Sequence, residues 1–339
     1  MQFKILAVQL VSYLRDSNDQ LALLIGDFLY NMDELHPDLP GSIGMFLNYW
    51  EDAFPLAKRA EEGVKAGRFM QNRGIPYNTV QLLAPVPFPT SYRSAHSFYR
   101  NVVADSSNRD VFIPQKFDQY PGFHFGNHHS IQGTGEIRCL PDHLENLDFQ
   151  FGVAIVICKH GRNIRAAHAD EYVGGVMIMN DMCASKLQMG VNSPLAGGAG
   201  FSTATGPVLI TPDDLEQFEM PAPENHIGKS WNLPVMCNIN GVQMSEWNLG
   251  DMTWTFAELI EQASYGADLY PGDIIGSGAP DGGCFFQLNQ TGKQNNPAYN
   301  AQWLQAGDAI EMQAGCLGCL SNLIVAEEEN WSILKEKKI

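Results

Sequence analysis

The sequence predicts an α+β fold that is mostly β: a mixed roll of packed sheets preceded by a small α+β unit. Many short segments alternate between apolar and polar residues and are separated by Gly, Pro and Asp turn signals, which is typical of strands. The chain has 339 residues, enough for one large domain and a small one. We therefore expect the small unit at residues 1–85, the large domain at residues 86–330 and a polar tail at residues 331–339.

The composition and charge of the chain argue against several function classes. Hydrophobic residues make up 45% of the sequence and charged residues 17%, as in a globular protein rather than a disordered one. The formal net charge of -17 argues against nucleic acid and anionic membrane surfaces, because phosphate groups bind to basic faces. No apolar run has the length of a membrane span, and the first residues lack the pattern of a signal peptide. The 7 cysteines are scattered, which favours reduced thiols in the cytoplasm.

The N-terminal unit is predicted to begin with two strands, Met1–Leu14 and Leu21–Asp27, the second of which ends at a Gly-Asp pair. Two helix-like segments follow at Gly41–Trp50 and Asp52–Gly67, and the latter has apolar residues at helical spacing with charged residues between them. Val80–Phe88 is expected to be a strand closed by prolines, which marks the boundary with the large domain.

The large domain is expected to open with a helical segment, Ser91–Val103, followed by a histidine-rich strand, Phe117–Ile131. His124, His128 and His129 in this strand suggest a zinc or iron site, because imidazole suits both metals. The alternative is a group of ordinary hydrogen-bonded or surface histidines. We favour the alternative, because adjacent residues such as His128 and His129 point to opposite faces of a strand.

The stretch Leu147–Asp181 is predicted to be the centre of the fold. It contains a strand, a turn, a short helix and a second buried strand, at Phe149–Ile157, His160–Asn163, Ala167–Tyr172 and Val176–Met179. The second strand ends on Asn180-Asp181, and a strand pair that closes on a carboxylate can hold a cation or polarise a substrate. Alternatively, Asp181 caps a helix that begins at Met182.

Two further motifs have more ordinary explanations. Cys316 and Cys319 have the spacing of a redox or zinc pair, but no second pair accompanies them, so packing residues are the favoured interpretation. Gly197–Gly200 is glycine-rich, but it lacks the flanking spacing and the lysine of a phosphate-binding P-loop.

Several segments, in this order along the chain, resemble the fumarylacetoacetate hydrolase (FAH) family. They are Gln81–Pro87, Leu147-Asp148, Asn180-Asp181, Gly206-Pro207, Asp251–Ile260, Leu269–Gly282 and Leu304–Val325. The resemblance extends from about Gln81 to Val325 and implies an FAH-type mixed β-roll with a helix at residues 251–260 and a closing hairpin at residues 304–325. It also implies a homodimer.

The same resemblance implies an altered active site. In the family, carboxylates hold a magnesium or calcium ion, and a histidine-glutamate pair activates water for carbon–carbon bond cleavage. At the carboxylate positions this chain has Ser94, Gln150, Gly152 and, as the one retained acid, Asp181. The general base falls on Asn101 and the substrate-polarising lysine on Ala199. Because a hard cation needs several anionic oxygens, no cofactor is expected, and magnesium or calcium at Asp181 is the alternative.

The residues leave more than one function class open. The first is an enzyme that acts on a small oxo or enol compound without a divalent cation, as an isomerase, lyase, decarboxylase or hydratase. The second is a non-catalytic binding protein, and the third is a magnesium-dependent hydrolase of fumarylacetoacetate or an acylpyruvate. In each case the expected partner is a small molecule. The candidate catalytic residues are Asp181, Gln150, Gln188, Lys186 and His96, and the candidates for substrate binding are His124, His128, Ser94, Asn101, Ser277 and Ala279.

Overall fold

The computed structural model describes residues 8–68, 73–98, 119–187, 199–280 and 282–335. In the first half of these residues the strands are β1 Gln9–Arg15, β2 Asn18–Ile25, β3 Phe28–Asn31, β4 Ile75–Pro76, β5 Gln81–Leu82, β6 Tyr92–His96, β7 Gly122–Phe125, β8 Ile131–Gln132, β9 Gly135–Cys139 and β10 Leu147–Ile157. They continue with β11 Gly161–Arg162, β12 Val173–Ala184, β13 Ala199–Ile210, β14 Glu219–Met220, β15 Ser230–Trp231, β16 Pro234–Ile239, β17 Val242–Asn248, β18 Asp268–Leu269, β19 Ile274–Gly276, β20 Ala309–Ala314 and β21 Cys319–Ala326.

The α-helices of the same ranges are mostly short. They are α1 Met32–Leu35, α2 Ile43–Asn48, α3 Trp50–Lys65, α4 Pro141–Leu144, α5 Ala166–Ala169, α6 Pro212–Leu215, α7 Phe256–Ser264 and α8 Phe285–Asn295. None of these helices is long and apolar enough to cross a membrane.

Two sheets dominate the described structure. The larger has 12 strands, with the path β4-β3-β2-β1-β13-β12-β10-β19-β6-β7, while β5 pairs with β1 and β8 with β13. The smaller has 5 strands in the order β17-β16-β20-β21-β9. The mostly β, α+β fold class and the FAH-type roll that the sequence predicts are confirmed. Because β1 pairs with β13, the N-terminal strands belong to the large sheet, and the division at residue 85 stays a prediction.

Long antiparallel pairing holds the centre of the large sheet together. Strand β12 pairs with β10 from Val173 to Ala184, and all of its residues are buried. A strand that is apolar over nearly its whole length must be covered on both faces. On one face, Phe151 and Ile178 belong to a core that extends to the small sheet, whereas on the other face Met179 packs in a second core with residues of α2 and α3.

Three sequence-based predictions are wrong, and tertiary pairing explains the first two. The segment predicted to be helical at Ser91–Val103 contains strand β6, because its residues pair with both β19 and β7. Strand β12 continues through Asp181 to Ala184, so Asp181 does not cap a helix at Met182. His128 lies in a 3₁₀ turn with His129 rather than on a strand, and their ring centroids are 4.1 Å apart.

Two other predicted elements are shorter than expected. Only Gln81–Leu82 of the predicted strand at Val80–Phe88 is extended in a sheet, in keeping with the prolines that follow it. The helix that the family resemblance implies at residues 251–260 begins at Phe256, because Thr255 and Glu258 form a capping box there. The closing hairpin is present as β20 and β21.

Candidate functional site

The retained carboxylate lies on the face of the large sheet where β10, β12 and β13 run side by side. Asp181 is directly opposite Gln150 of β10 and Thr203 of β13, so the three side chains share one face. Strand β6 brings Tyr92 to the same place, because its hydroxyl group contacts Asp181. The expectation that Gln150 and Asp181 are neighbours therefore follows from strand register.

Next to Asp181 lies a cavity of about 420 Å³. Its described lining comes from the turn after β7 and from the start of β13, together with Asp181 itself. The lining residues are His124, Phe125, Gly126, Asn127, Asp181, Ala199, Gly200 and Phe201. A volume of this order suits a small organic molecule. The lining combines aromatic rings, an amide and one carboxylate.

Both oxygens of the Asp181 carboxylate accept hydrogen bonds from hydroxyl groups. Tyr92 donates to Oδ2 at 2.8 Å, and Thr203 donates to Oδ1 at 2.7 Å. The residue is only 5% exposed. Burial raises the pKa of the Asp181 carboxyl above its usual value, and the bonds from Thr203 and Tyr92 oppose this rise. A carboxyl in such a position can take up and release a proton closer to neutral pH than an ordinary aspartate.

Tyr92, like Thr203, contacts Asp181 but is not among the candidates that the sequence provides. It is 1% exposed, and besides its bond to Asp181 its hydroxyl oxygen lies 3.3 Å from Met179 Sδ. Burial raises the pKa of the Tyr92 phenol well above its usual value, so the phenol stays protonated and can donate. A strand assignment for residues 92–96 would have placed this side chain on the site face, since alternate residues of a strand share a face.

His124, which lines the cavity, pairs with His96 across β7 and β6. The ring centroids of His96 and His124 are 5.6 Å apart, and Ser94, which is buried, lies opposite His124. His96 keeps an exposed part of its surface, yet the protein atoms around its ring desolvate it and, with His124 nearby, lower its pKa to about 4. Burial also lowers the pKa of His124, so both rings are neutral at pH 7. The Nδ1 atom of His124 is buried and has no hydrogen-bond partner in the described structure.

The residues at the metal positions of the resembled family do not fit a hard divalent cation. A Cβ atom at Gly152 would lie 2.7 Å from the Gly278 carbonyl oxygen and 3.0 Å from Ser277 Oγ, so a glutamate has no room there. Gln150 offers a neutral amide, and the two oxygens of Asp181 are already hydrogen-bonded. No group of three or more His, Cys, Asp or Glu side chains suited to a metal ion occurs among the described residues. Magnesium and calcium need several anionic oxygens.

The remaining candidates are not gathered at the cavity. Lys186 forms an ion pair of 3.5 Å with Glu145, and both side chains are about half exposed. Ser277 is buried and bonds to backbone: its Oγ accepts from the Val153 N–H at 3.1 Å and donates to the Gly278 carbonyl at 2.8 Å. Ala279 follows on the same segment and is half-buried. His128 lies in the 3₁₀ turn beyond Asn127, while Gln188 and Asn101 fall outside the described residues.

Two further features of the chain have structural explanations. Cys316 and Cys319 are free, and burial raises the pKa of the Cys316 thiol to about 11, which disfavours the thiolate that metal binding or redox chemistry needs. Asp148 accepts hydrogen bonds from the backbone N–H groups of Phe149, Phe285 and Phe286 at 2.7–2.8 Å. It thereby joins the start of α8 to β10 and stabilises the segment behind the site.

Comparisons with known proteins agree with the fold and with the matched motifs. The family described as fumarylacetoacetate (FAA) hydrolase C-terminal matches residues 96–325. A mitochondrial oxaloacetate tautomerase from Rattus norvegicus is 27% identical over 303 residues, which cover 89% of this chain and 85% of the relative. A mitochondrial oxaloacetate tautomerase from Homo sapiens is 26% identical over 306 residues, 88% of this chain and 85% of the relative.

Solved structures with the same fold are more distant in sequence. A fumarylacetoacetate hydrolase from Exiguobacterium antarcticum superimposes with a TM-score of 0.70 at 19% identity and covers 94% of this chain and 100% of its own. A maleylpyruvate hydrolase from a Sphingobium species, in complex with manganese (II) ion and pyruvate, gives a TM-score of 0.67 at 18% identity, with the same coverage. These likenesses show a shared fold.

Proposed function

Because this chain belongs to the fumarylacetoacetate hydrolase family, we propose that it is an enzyme that moves a proton on a small, enolisable carbonyl compound, with Asp181 as the acid–base group. The observation that carries the proposal is the buried Asp181 carboxylate beside a cavity of about 420 Å³. Keto–enol isomerisation, as in the relatives named oxaloacetate tautomerases, fits this arrangement.

The proposed step needs one base and one hydrogen-bond donor. The Asp181 carboxylate removes a proton from the carbon next to the substrate carbonyl. The electron pair of that C–H bond forms a carbon–carbon double bond, and the π electron pair of the carbonyl moves to its oxygen. The ring of His124, which lines the cavity and is neutral, can exchange a hydrogen bond with this oxygen. Transfer of this proton to the carbonyl oxygen gives the enol and completes an isomerisation that consumes no second reactant.

The raised pKa of Asp181 supports the role as a base. A surface aspartate is a weak base, because its pKa lies near 4. Desolvation raises the pKa of the Asp181 carboxyl, and the hydroxyl groups of Thr203 and Tyr92 keep the ionised form populated. Such a balance matches the base to a reaction near neutral pH.

The charges at the cavity favour a substrate with little negative charge. The described lining contains the carboxylate of Asp181 and no lysine or arginine. A dianion would meet this carboxylate without a cation to offset the repulsion. We therefore expect neutral β-dicarbonyl compounds or monoanionic 2-oxo acids to react faster than oxaloacetate.

Proton exchange in deuterated buffer, followed by NMR, tests the proposal directly. The probes are acetylacetone, pyruvate and oxaloacetate, each with EDTA present so that divalent cations are chelated. We expect the protein to accelerate exchange at the enolisable carbon, and Asp181→Asn to lower the rate about a hundredfold or more. Glu145→Gln, which changes an exposed carboxylate away from the cavity, is the matched control and should leave the rate unchanged.

Two outcomes would replace the proposal. If carbon–carbon cleavage of an acylpyruvate appears when magnesium or manganese is added, and EDTA removes it, the chain is a metal-dependent hydrolase. If calorimetry shows that a probe binds and NMR shows no exchange above the buffer rate, the chain is a binding protein.

A further inference from the structure

On the sheet face that carries Asp181, the space beside Gly152 is filled by other residues of this chain. Met179 lies two residues before Asp181 on β12, points to the same face and is directly opposite Gly152. Its side chain is fully buried and packs so closely that a Cβ atom at Gly276 would lie 2.6 Å from its Sδ atom. The position of a lost glutamate is thus covered by a thioether.

Tyr92 completes this filling from strand β6, which β10 and β19 separate from β12 in the sheet. Its hydroxyl oxygen lies between Met179 Sδ, at 3.3 Å, and Asp181 Oδ2, at 2.8 Å. Its ring needs a glycine beneath it, since a Cβ atom at Gly126 would lie 2.2 Å from the ring carbon Cδ1. Gly126, Gly152 and Gly276 together leave room for the two large side chains.

We propose that Tyr92 is a positioning residue whose hydroxyl group, rather than a divalent cation, is the partner of the Asp181 carboxylate and holds it in place. A hydrogen bond from a hydroxyl group to a carboxylate holds the carboxylate in one orientation, and it is stronger than a bond between neutral groups. Thr203 fixes the second oxygen in the same way. The orientation of Asp181 toward the cavity is therefore set by two donors on two different strands.

The exchange of a cation for a hydroxyl group changes what Asp181 can do. A carboxylate bound to a divalent cation is a metal ligand and has little basicity left. A carboxylate that accepts one bond from a neutral phenol keeps its negative charge and can still accept a proton. The effect of Tyr92 on the reaction rate rests on the proposed function. The orientation and protonation of Asp181 can be measured without any substrate.

Tyr92→Phe is the central variant, and Met179→Leu is its matched control. Phenylalanine keeps the ring over Gly126 and removes only the hydroxyl group, whereas leucine keeps the filling and removes only the sulfur contact. In a ¹³C NMR titration of the aspartate carboxyl groups, with Asp181→Asn identifying the signal, we expect the pKa of Asp181 to rise in Tyr92→Phe. The reason is that the ionised form loses a hydrogen bond. In Met179→Leu the signal should titrate as in the unaltered protein.

The rate gives the second readout. In Tyr92→Phe the acidic limb of the pH–rate profile should move to higher pH, and kcat should fall about tenfold or more, the worth of one hydrogen bond to a charged group. KM should change little, because Tyr92 is buried and does not line the cavity. An Asp181 pKa that is the same in Tyr92→Phe and in the unaltered protein would overturn the inference. If no probe is turned over, the proposed function fails, and the titration still decides the role of Tyr92.

A manganese titration followed by electron paramagnetic resonance tests the cation position itself. The variant Tyr92→Phe/Gln150→Glu/Met179→Glu rebuilds a cluster of carboxylates around Asp181, and Tyr92→Phe/Gln150→Glu/Met179→Gln is the control without the third acid. We expect manganese to bind at least about tenfold more tightly to the first variant, because hard cations bind preferentially to anionic oxygens. Equal affinity in two folded variants would show that the filled space is not the cation position.

Discussion

Replacement of Asn180 by leucine should stabilise the protein, although the residue is next to Asp181. The Asn180 side chain is 0% exposed, and neither Nδ2 nor Oδ1 has a hydrogen-bond partner in the described structure. It lies between Phe151 and Ala204 on the two neighbouring strands, on the face that packs against the small sheet. On folding, this amide loses its hydrogen bonds to water and gains none from the described residues.

The expected gain follows from the two unpartnered amide atoms. A buried polar group without a partner costs about 1–3 kcal/mol, and leucine has the same branched side-chain skeleton and no polar atom. We expect Asn180→Leu to raise the free energy of unfolding by about 1–3 kcal/mol. Urea denaturation with linear extrapolation measures this change, and an unchanged m-value would show that the compactness of both states is kept.

Asn31 provides the matched control. It is also buried, at 3% exposure, but Tyr13 donates to its Oδ1 at 2.7 Å, and its Nδ2 donates to Glu34 at 3.0 Å. Asn31→Leu should therefore lower the free energy of unfolding by about 1–3 kcal/mol. A loss of stability in Asn180→Leu as large as in Asn31→Leu would refute the reasoning, because the Asn180 amide must then be satisfied in the native protein.

Three further predictions concern the scaffold and the assembly. Asp148→Ala should lower the free energy of unfolding by several kcal/mol, since it removes the acceptor of three backbone N–H groups, two of them buried and one half-buried, at about 1–3 kcal/mol for each buried group; urea denaturation measures this. Burial and the nearby Glu61 raise the pKa of Asp214 from 3.8 to about 7, so the folded state binds more protons than the unfolded state in this interval. The free energy of unfolding should then fall as the pH rises from about 4 to 7, by up to about 1.4 kcal/mol per pH unit, and Asp214→Asn should remove this slope. The chain, of 37.5 kDa, should form a homodimer of twice that mass in light scattering at micromolar concentration.

Each of these predictions has a result that would contradict it. An Asp148→Ala variant within about 1 kcal/mol of the unaltered protein would mean that water reaches the freed N–H groups. A pH profile that is as steep in Asp214→Asn would assign the proton uptake to another group, above all to the neighbouring Glu61, whose pKa is also raised by burial. A stable monomer in light scattering would contradict the homodimer that the family resemblance implies.

The sequence predicted the central strands well. The strand at Phe149–Ile157 is so apolar that its burial on both faces follows from its composition. The alignment of Gln150 with a family carboxylate could be made because Leu147-Asp148 precedes it, and the register opposite Asp181 agrees with that alignment. Local sequence was sufficient here because these residues are held by long, regular pairing.

Strand β6 could not be predicted, because its state depends on partners that are distant in the chain. Residues 92–96 have no apolar alternation, and they become a strand by pairing in parallel with β19 and antiparallel with β7. Tertiary pairing of this kind overrides local propensity. Since β6 carries Tyr92, the error in secondary structure also hid one of the two hydrogen-bond donors to Asp181.

The loss of acidic residues and the filling of their space belong to one structural change. If Gly152 had merely replaced a glutamate, a void would remain next to Asp181, and protein interiors do not keep large polar voids. The Gly278 carbonyl, Ser277 and Met179 occupy that space, and the backbone at Gly278 cannot move away cheaply because a Cβ atom there would already lie 2.0 Å from the Ala95 carbonyl oxygen. The direct reversal Ser94→Asp/Gln150→Glu/Gly152→Glu would therefore restore the charges of the family without the room that a cation needs. The chemistry of the present site follows from its own donors, Tyr92 and Thr203, and from the single carboxylate that they hold.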